Sequence, residues 1–78
     1  MNDLIANIAR LHTTDMGRLR IQRNLGLMTD DVVLIIRDCI LSLNADIMRR
    51  GKNWYITTPE YMITVNAHSF TIITAHRV

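Results

Sequence analysis

The spacing of apolar residues changes once along this chain of 78 residues, close to Asn44. Before Asn44, apolar side chains recur every three or four residues, which is the period of an amphipathic helix. After Asn44 they recur at every second residue, which is the period of a half-buried strand. A chain with a single change of this kind is expected to form its helices first and its strands second.

Three helices are predicted before Asn44, and polar residues at their starts supply N-cap candidates: Asn2, Asp3, Thr14 and Thr29. Gly26 is expected to end the second helix. That helix is basic and has a sparse apolar stripe, Met16, Leu19 and Leu25. The third helix is apolar on most sides and is therefore expected to be the central core helix; its apolar residues are Val32, Val33, Ile35, Ile36, Cys39, Ile40 and Leu43.

Four strands are predicted after Asn44, in two hairpins. Gly51 and Lys52 form the turn between residues 46–50 and 53–58, and Ala67, His68 and Ser69 separate residues 61–66 from 70–76. Sequential hairpins form an antiparallel meander. The predicted fold class is α+β, a single domain (residues 1–78) with three N-terminal helices (1–44) packed on one face of a four-stranded antiparallel sheet (45–78).

Strand alternation assigns side chains to the two faces of the sheet. The helix-covered face is predicted to carry Ile63, Val65, Phe70 and Ile72, followed along the last strand by Thr74 and His76. The opposite face is predicted to carry Thr64, Asn66, Thr71, Ile73 and Arg77. Such a mixed, threonine-rich surface suits solvent or a partner better than a second core.

The composition fits one small intracellular domain. Apolar residues make up 49% and charged residues 21% of the chain, which is ordinary for a globular protein. Cys39 is the only cysteine, no signal-peptide pattern begins the chain, and no apolar run is long enough to cross a membrane. We therefore expect a cytoplasmic protein, and homodimer formation is one way for so small a core to gain stability.

Sequence signatures of nucleotide, zinc and α/β-hydrolase sites are missing. The histidines His12, His68 and His76 are widely spaced and lack neighbouring Cys or carboxylate ligands. No metal and no cofactor are expected.

One candidate site is catalytic. Acid and base catalysis on RNA commonly uses histidine, so His76 is the candidate for that role, and Arg77 is the candidate to bind the phosphate. His68 or Tyr55 would supply the complementary group. A histidine at a strand end and another in a turn are also common surface features.

The second candidate site is a binding surface. Its basic hairpin consists of Arg49, Arg50, Lys52 and Trp54, and its sheet face of Thr64, Asn66 and Thr71. Cations beside exposed aromatic rings bind phosphates and stack bases. The alternative is that Trp54 anchors the core while the cations keep the hairpin soluble and protect a sheet edge.

Residues 51–57 (GKNWYIT) and 62–76 (MITVNAHSFTIITAH) resemble a family of short uncharacterised bacterial proteins classed as a domain of unknown function. The resemblance implies an α+β fold and assigns no catalytic residues. A looser likeness connects the chain with RelE-like and colicin-like RNase toxins, which place helices before an antiparallel sheet. Thr74, His76 and Arg77 match that group by their position at the chain end.

Two functions follow from these observations. The first is a small non-enzymatic binding or inhibitor module, of phage or mobile-element origin, that engages a protein or nucleoprotein complex, with RNA as one partner. The alternative is a metal-independent, toxin-like endoribonuclease that uses His76 and Arg77.

Overall fold

The computed structural model describes residues 2–78. Helices precede strands along the chain, so the fold class is α+β, as predicted. The helical part contains α1 (Asp3–Ala6), a 3-10 turn (Ile8–Arg10), α2 (Asp15–Leu25) and α3 (Val32–Leu41). The sheet part contains β1 (Asp46–Arg50), β2 (Asn53–Thr57), β3 (Tyr61–Asn66) and β4 (Ile72–Arg77). No helix within residues 2–78 has the length and apolar content that a membrane crossing requires.

Side-chain caps fix the starts of the helices. Asn2 Oδ1 accepts from the Ile5 N–H at 2.8 Å, and Thr14 Oγ1 accepts from the Gly17 N–H at 3.0 Å. The third helix starts later than predicted, because Asp31 is its N-cap in place of Thr29. The end of α2 is as predicted, since Gly26 adopts a left-handed conformation with φ of 67°.

The apolar stripe predicted for α2 is wrong at two of its three positions. Met16 and Leu19 are 74% and 57% exposed, whereas Gly17, Ile21 and Leu25 are buried. Gly17 lets the first turn of α2 approach the preceding segment, where Thr13 Oγ1 donates to the Ile72 carbonyl at 3.1 Å. The helix therefore turns its smallest residue inward and leaves Met16 outside.

The third helix contributes Val32, Ile36 and Ile40 to the core. Leu43, predicted as part of its apolar surface, lies beyond the end of the helix at Leu41 and is fully exposed. The core is one cluster of buried side chains from both halves of the chain, namely Leu4, Leu11, Ile21, Leu25, Val32, Ile36, Ile40, Trp54, Ile56, Ile63, Val65, Phe70, Ile72 and Ala75.

The sheet has the order β1-β2-β3-β4, and every neighbouring pair is antiparallel, as expected for a meander. The last strand contains an irregularity that the alternation of apolar residues does not indicate. Val65 pairs with Ile72, but Thr64 pairs with Thr74, so Ile73 is an extra residue on β4. An inserted residue shifts every following side chain to the other face.

This shift corrects the predicted faces at the end of the chain. Ala75 is fully buried beside Ile63 on the core face, where Thr74 and His76 were expected. Thr74 and His76 instead share the opposite face with Thr64 and Met62, their partners on β3. Arg77 pairs with Tyr61 and moves to the core side of the sheet. We call the face that carries Met48, Tyr55, Met62, Thr64, Thr74 and His76 the open face.

Candidate functional site

Two turns meet at one end of the sheet and form a basic concavity. The first is the β1–β2 turn, and the second is the β3–β4 turn. Five residues line a cavity of about 380 Å³ between them, and we call this the twin-turn site: Arg49, Gly51, Lys52, Asn66 and His68. Arg49, Lys52 and His68 carry basic side chains, and all three are exposed.

Main-chain geometry holds the two turns together. Gly51 has a φ of 57°, which suits the first central residue of a two-residue II′ hairpin turn. The Ala67 N–H donates to the Lys52 carbonyl at 2.8 Å, beyond the last paired residues, Asn53 and Asn66. Lys52 and the β3–β4 turn that bears His68 are therefore connected directly.

The Asn66 side chain positions His68. Its Oδ1 accepts hydrogen bonds from the His68 and Ser69 N–H groups, both at 2.9 Å, and from Ser69 Oγ at 3.2 Å. The turn ends at Phe70, which has an unusual φ of 61° for an aromatic residue. Burial of the Phe70 ring, with the Arg10 guanidinium 4.6 Å from its centroid, holds it in that conformation.

Arg49 is oriented by its neighbours. Its Nε donates to the Gly51 carbonyl at 2.9 Å, and its guanidinium carbon lies 5.5 Å from the centroid of the Trp54 ring. Trp54 itself is only 7% exposed, and its Nε1 finds no acceptor among residues 2–78. Trp54 therefore anchors the core and supports Arg49, as in the structural alternative, and offers no free ring face for stacking.

Arg49 and Lys52 form no salt bridge with any of residues 2–78. The salt bridges formed among residues 2–78 are Arg18–Asp30 and Arg37–Asp38, and neither involves a residue of the basic hairpin. Glu60 is the only acidic residue after Asp46. Both of these carboxylates lie toward the other end of the strands, and Asp46 is about 10 Å from Arg49 at 3.3 Å per residue. No carboxylate therefore lies among the residues that line the twin-turn site.

The open face adjoins this site and carries an exposed aromatic ring. Tyr55 is 37% exposed, pairs with Met48 and Thr64, and lies two positions along the strand from Asn53, whose partner on β3 is Asn66. Asn53 Nδ2 donates to the Tyr55 hydroxyl at 3.3 Å. Arg50, the partner of Asn53, is the β1 cation on this face, whereas Arg49 pairs with Trp54 and lies on the core side of the sheet.

The hydroxyl group of Thr71, which was predicted to contact a partner, is already hydrogen-bonded within the protein. Its hydroxyl lies 2.7 Å from Ser69 Oγ and 3.0 Å from His12 Nε2. His12 forms a short parallel bridge with Thr71, so this threonine belongs to the closed edge of the sheet. Its hydroxyl supports the β3–β4 turn.

The proposed catalytic residues are spread over the molecule. His76 and Arg77 are consecutive on β4 and lie on opposite faces, and the Arg77 Nη2 donates to the Leu25 carbonyl at 2.8 Å. His68 lies in the turn at the other end of the hairpin from His76. Tyr55 is on β2, so the structure does not bring these four side chains into one concavity.

A second cavity of about 370 Å³ lies between α3 and the β2–β3 connection. Cys39, Asp38, Glu60 and Tyr61 are among its lining residues. Burial raises the pKa of the Cys39 thiol, and the carboxylates of Glu60 and Asp38 raise it further. The thiol is therefore held in its neutral, weakly nucleophilic form. Residues 2–78 contain no cluster of three or more His, Cys, Asp or Glu side chains arranged to hold a metal ion.

Fold and site together define a small α+β domain, with helices followed by an antiparallel meander, that carries a basic concavity at one end of its sheet. The chain belongs to the family described as "Protein of unknown function (DUF3781)", whose family model matches residues 5–76. This confirms the resemblance to a domain of unknown function. No curated protein and no solved structure shows significant similarity to the chain, so the likeness to RelE-like toxins gains no support.

Proposed function

We propose that this protein is a non-enzymatic binding module that engages single-stranded nucleic acid, free or within a nucleoprotein complex. The observation that carries the proposal is the twin-turn site, in which Arg49, Lys52 and His68 surround one concavity with no carboxylate among its lining residues. Phosphate is the ligand that such a set of donors binds best.

The rigidity of the site supports phosphate binding. The link between Ala67 and Lys52 and the side-chain cap of Asn66 order both turns before any ligand arrives. The Arg49 guanidinium is already oriented through its Nε, which leaves its two Nη groups for the ligand. A preorganised site loses less conformational entropy when it binds.

The neighbouring open face supports a single strand over a duplex. Met48, Tyr55 and Met62 on this face are 50%, 37% and 40% exposed. The Tyr55 ring is a flat platform on the same face as the Arg50 side chain. Stacking of one base on an aromatic ring contributes about 1–3 kcal/mol. Asn53 and Asn66 lie between the ring and the two turns and offer amide groups to base edges.

Fluorescence anisotropy tests the proposal. Labelled oligonucleotides of about 12 nucleotides, as single-stranded RNA, single-stranded DNA and duplex, would be titrated with protein over a range of salt concentrations. We expect both single strands to bind more tightly than the duplex. Whichever of single-stranded RNA and single-stranded DNA has the lower dissociation constant identifies the natural ligand. Lys52→Gln should lower the magnitude of the salt slope by about 0.7.

Arg20→Gln is the matched control for Lys52→Gln, because it removes one positive charge from the outer side of α2, away from the sheet. It should leave affinity and salt slope nearly unchanged. Equal losses for the two variants would mean that only net charge matters, and the site assignment would be abandoned.

The nuclease alternative is tested with the same RNA. Purified protein and His76→Ala would be incubated with the labelled RNA in EDTA, and the products separated on a gel. We expect intact RNA with both proteins. Cleavage that His76→Ala abolishes would replace the non-enzymatic proposal with an endoribonuclease.

A further inference from the structure

Strand β1 is an edge strand whose outer side is uncovered. At the opposite edge of the sheet, the His12 N–H donates to the Phe70 carbonyl at 3.2 Å, and the Ile72 N–H donates to the His12 carbonyl at 2.7 Å. Asn24 Nδ2 donates to the Ala75 carbonyl at 3.2 Å. In the part of the chain that the structure describes, no comparable hydrogen bond reaches the outer side of β1.

The β1–β2 turn determines which main-chain groups of β1 point outward. Arg50 and Asn53 flank a two-residue turn and therefore form a hydrogen-bonded pair. Because such pairs alternate along an antiparallel ladder, the N–H and C=O groups of Ile47 and Arg49 point away from β2. Unpaired groups of this kind are a template for another strand.

We propose that this edge pairs with β1 of a second copy of the chain, antiparallel about a two-fold axis at Met48. In this register Ile47 lies opposite Arg49 of the second copy, so the outward groups of both strands form hydrogen-bonded pairs. Asp46 lies opposite Arg50 of the second copy, and the reverse pair follows from the symmetry. The two four-stranded sheets join into one.

The charges of β1 favour a second copy over another peptide. Asp46 and Arg50 stand at the two ends of the strand on the same face, with the uncharged Met48 midway between them. Neither charge forms a salt bridge with any of residues 2–78, and both side chains are exposed. Opposite charges across an antiparallel pair are stabilising, and like charges are destabilising. In the two-fold pair each Asp46 lies opposite an Arg50, so both side chains gain a partner of opposite charge.

Charge exchange tests the register. The dissociation constant would be measured by sedimentation equilibrium for wild type, Asp46→Arg, Arg50→Asp and the double variant Asp46→Arg/Arg50→Asp. Each single variant places like charges opposite each other and should weaken the dimer at least about tenfold. The double variant restores opposite charges and should recover most of the affinity. A monomeric wild type at all concentrations, or a double variant as weak as the single ones, would overturn the proposal.

Cross-linking tests the position of the axis independently. In a Cys39→Ser background, Met48→Cys would place two thiols at a non-hydrogen-bonded pair, where Cα atoms approach to about 4.5 Å and a disulfide can form. Mild oxidation should give a covalent dimer of Met48→Cys. Met62→Cys is the control, because Met62 is on the same open face, is 40% exposed and lies away from the axis. Cross-linking of both variants at equal rates, or of neither, would contradict the proposed interface.

Discussion

The guanidinium of Arg77 donates a hydrogen bond of 2.8 Å to the main-chain carbonyl of Leu25, the last residue of α2. A cation at a helix C-terminus interacts favourably with the helix dipole and satisfies a carbonyl that has no partner within the helix. The contact connects residues that are 52 positions apart in the sequence and ties the end of β4 to α2. Arg77 therefore stabilises the contact between α2 and β4.

Replacement of Arg77 should reduce stability and leave nucleic-acid binding intact. Arg77→Ala removes a charge-assisted hydrogen bond at a partly exposed position, and we expect a loss of about 1–2 kcal/mol in the free energy of unfolding. Urea denaturation measures this loss. Arg23→Ala, in the same last turn of α2, is the control and should change stability by less than about 0.5 kcal/mol. A selective loss of RNA binding in Arg77→Ala would instead support a role in phosphate contact.

Gly17→Ala should destabilise the protein although alanine is the better helix former. In an open helix interior this change stabilises by about 1 kcal/mol. Here the new methyl group would collide with Thr13 Oγ1, which donates to the Ile72 carbonyl. We expect a net loss of about 1–2 kcal/mol in urea denaturation.

A double-mutant cycle identifies the cause of that loss. Thr13→Ala alone should cost about 1 kcal/mol, because its hydrogen bond to β4 disappears. If the collision is responsible, Gly17→Ala adds little further loss in the Thr13→Ala background. Strictly additive losses would show that the methyl group is harmful for another reason.

The Cys39 thiol should react slowly with alkylating reagents, and removal of a nearby carboxylate should speed the reaction. Burial is the main cause of its raised pKa, followed by Glu60 and then Asp38. Glu60→Gln should therefore lower the thiol pKa and increase the iodoacetamide rate at about pH 8. Asp3→Asn is the control for a carboxylate that does not act on Cys39. Identical rates in wild type and Glu60→Gln would refute the assignment.

The raised pKa of the Cys39 thiol also makes the free energy of unfolding depend on pH. The unfolded chain loses the thiol proton at a lower pH than the folded chain does. As pH rises above the ordinary thiol range, about 8.5, the unfolded state binds fewer protons and folding stability falls until the folded-state pKa is passed. Urea midpoints measured across this range should decline less steeply in Cys39→Ser than in wild type.

Sequence patterns predicted most elements of this fold because their signals are local. Caps such as Thr14 and turn residues such as Gly51 act within a few positions of themselves. The inserted residue Ile73 has no local signature, and it moved His76 and Arg77 to faces opposite those predicted. The bulge exchanged the faces of these two residues, which lie on opposite sides of the sheet in either register because they are consecutive on one strand.

The candidate site was predictable only where the signal was local to the residue. Arg49, Lys52 and Asn66 were identified from residue type, since cations and amides in turns are accessible whatever the packing. Trp54 and Tyr55 are adjacent and differ only in face, so the register of the whole hairpin decided which ring was buried. The parts played by Arg10 and His12 depend on contacts with residues about 60 positions later, for which a short-range pattern gives no signal.

Asn66 provides a test that separates the shape of the twin-turn site from its charge. Asn66→Asp retains acceptor oxygens for the N–H groups of His68 and Ser69, so the turn should persist and stability should change by less than about 0.5 kcal/mol. The added negative charge among Arg49, Lys52 and His68 should weaken the binding of single-stranded RNA about tenfold. Asn66→Ala removes the acceptor instead, and should lower stability by about 1–2 kcal/mol as the cap is lost.

Anisotropy titrations and urea denaturation of both variants measure the two effects separately. A phosphate site requires Asn66→Asp to lose affinity at unchanged stability, because only a ligand of negative charge is repelled by the new carboxylate. Binding by Asn66→Asp as tight as that of wild type would mean that the nucleic acid, if bound at all, contacts another surface of the protein.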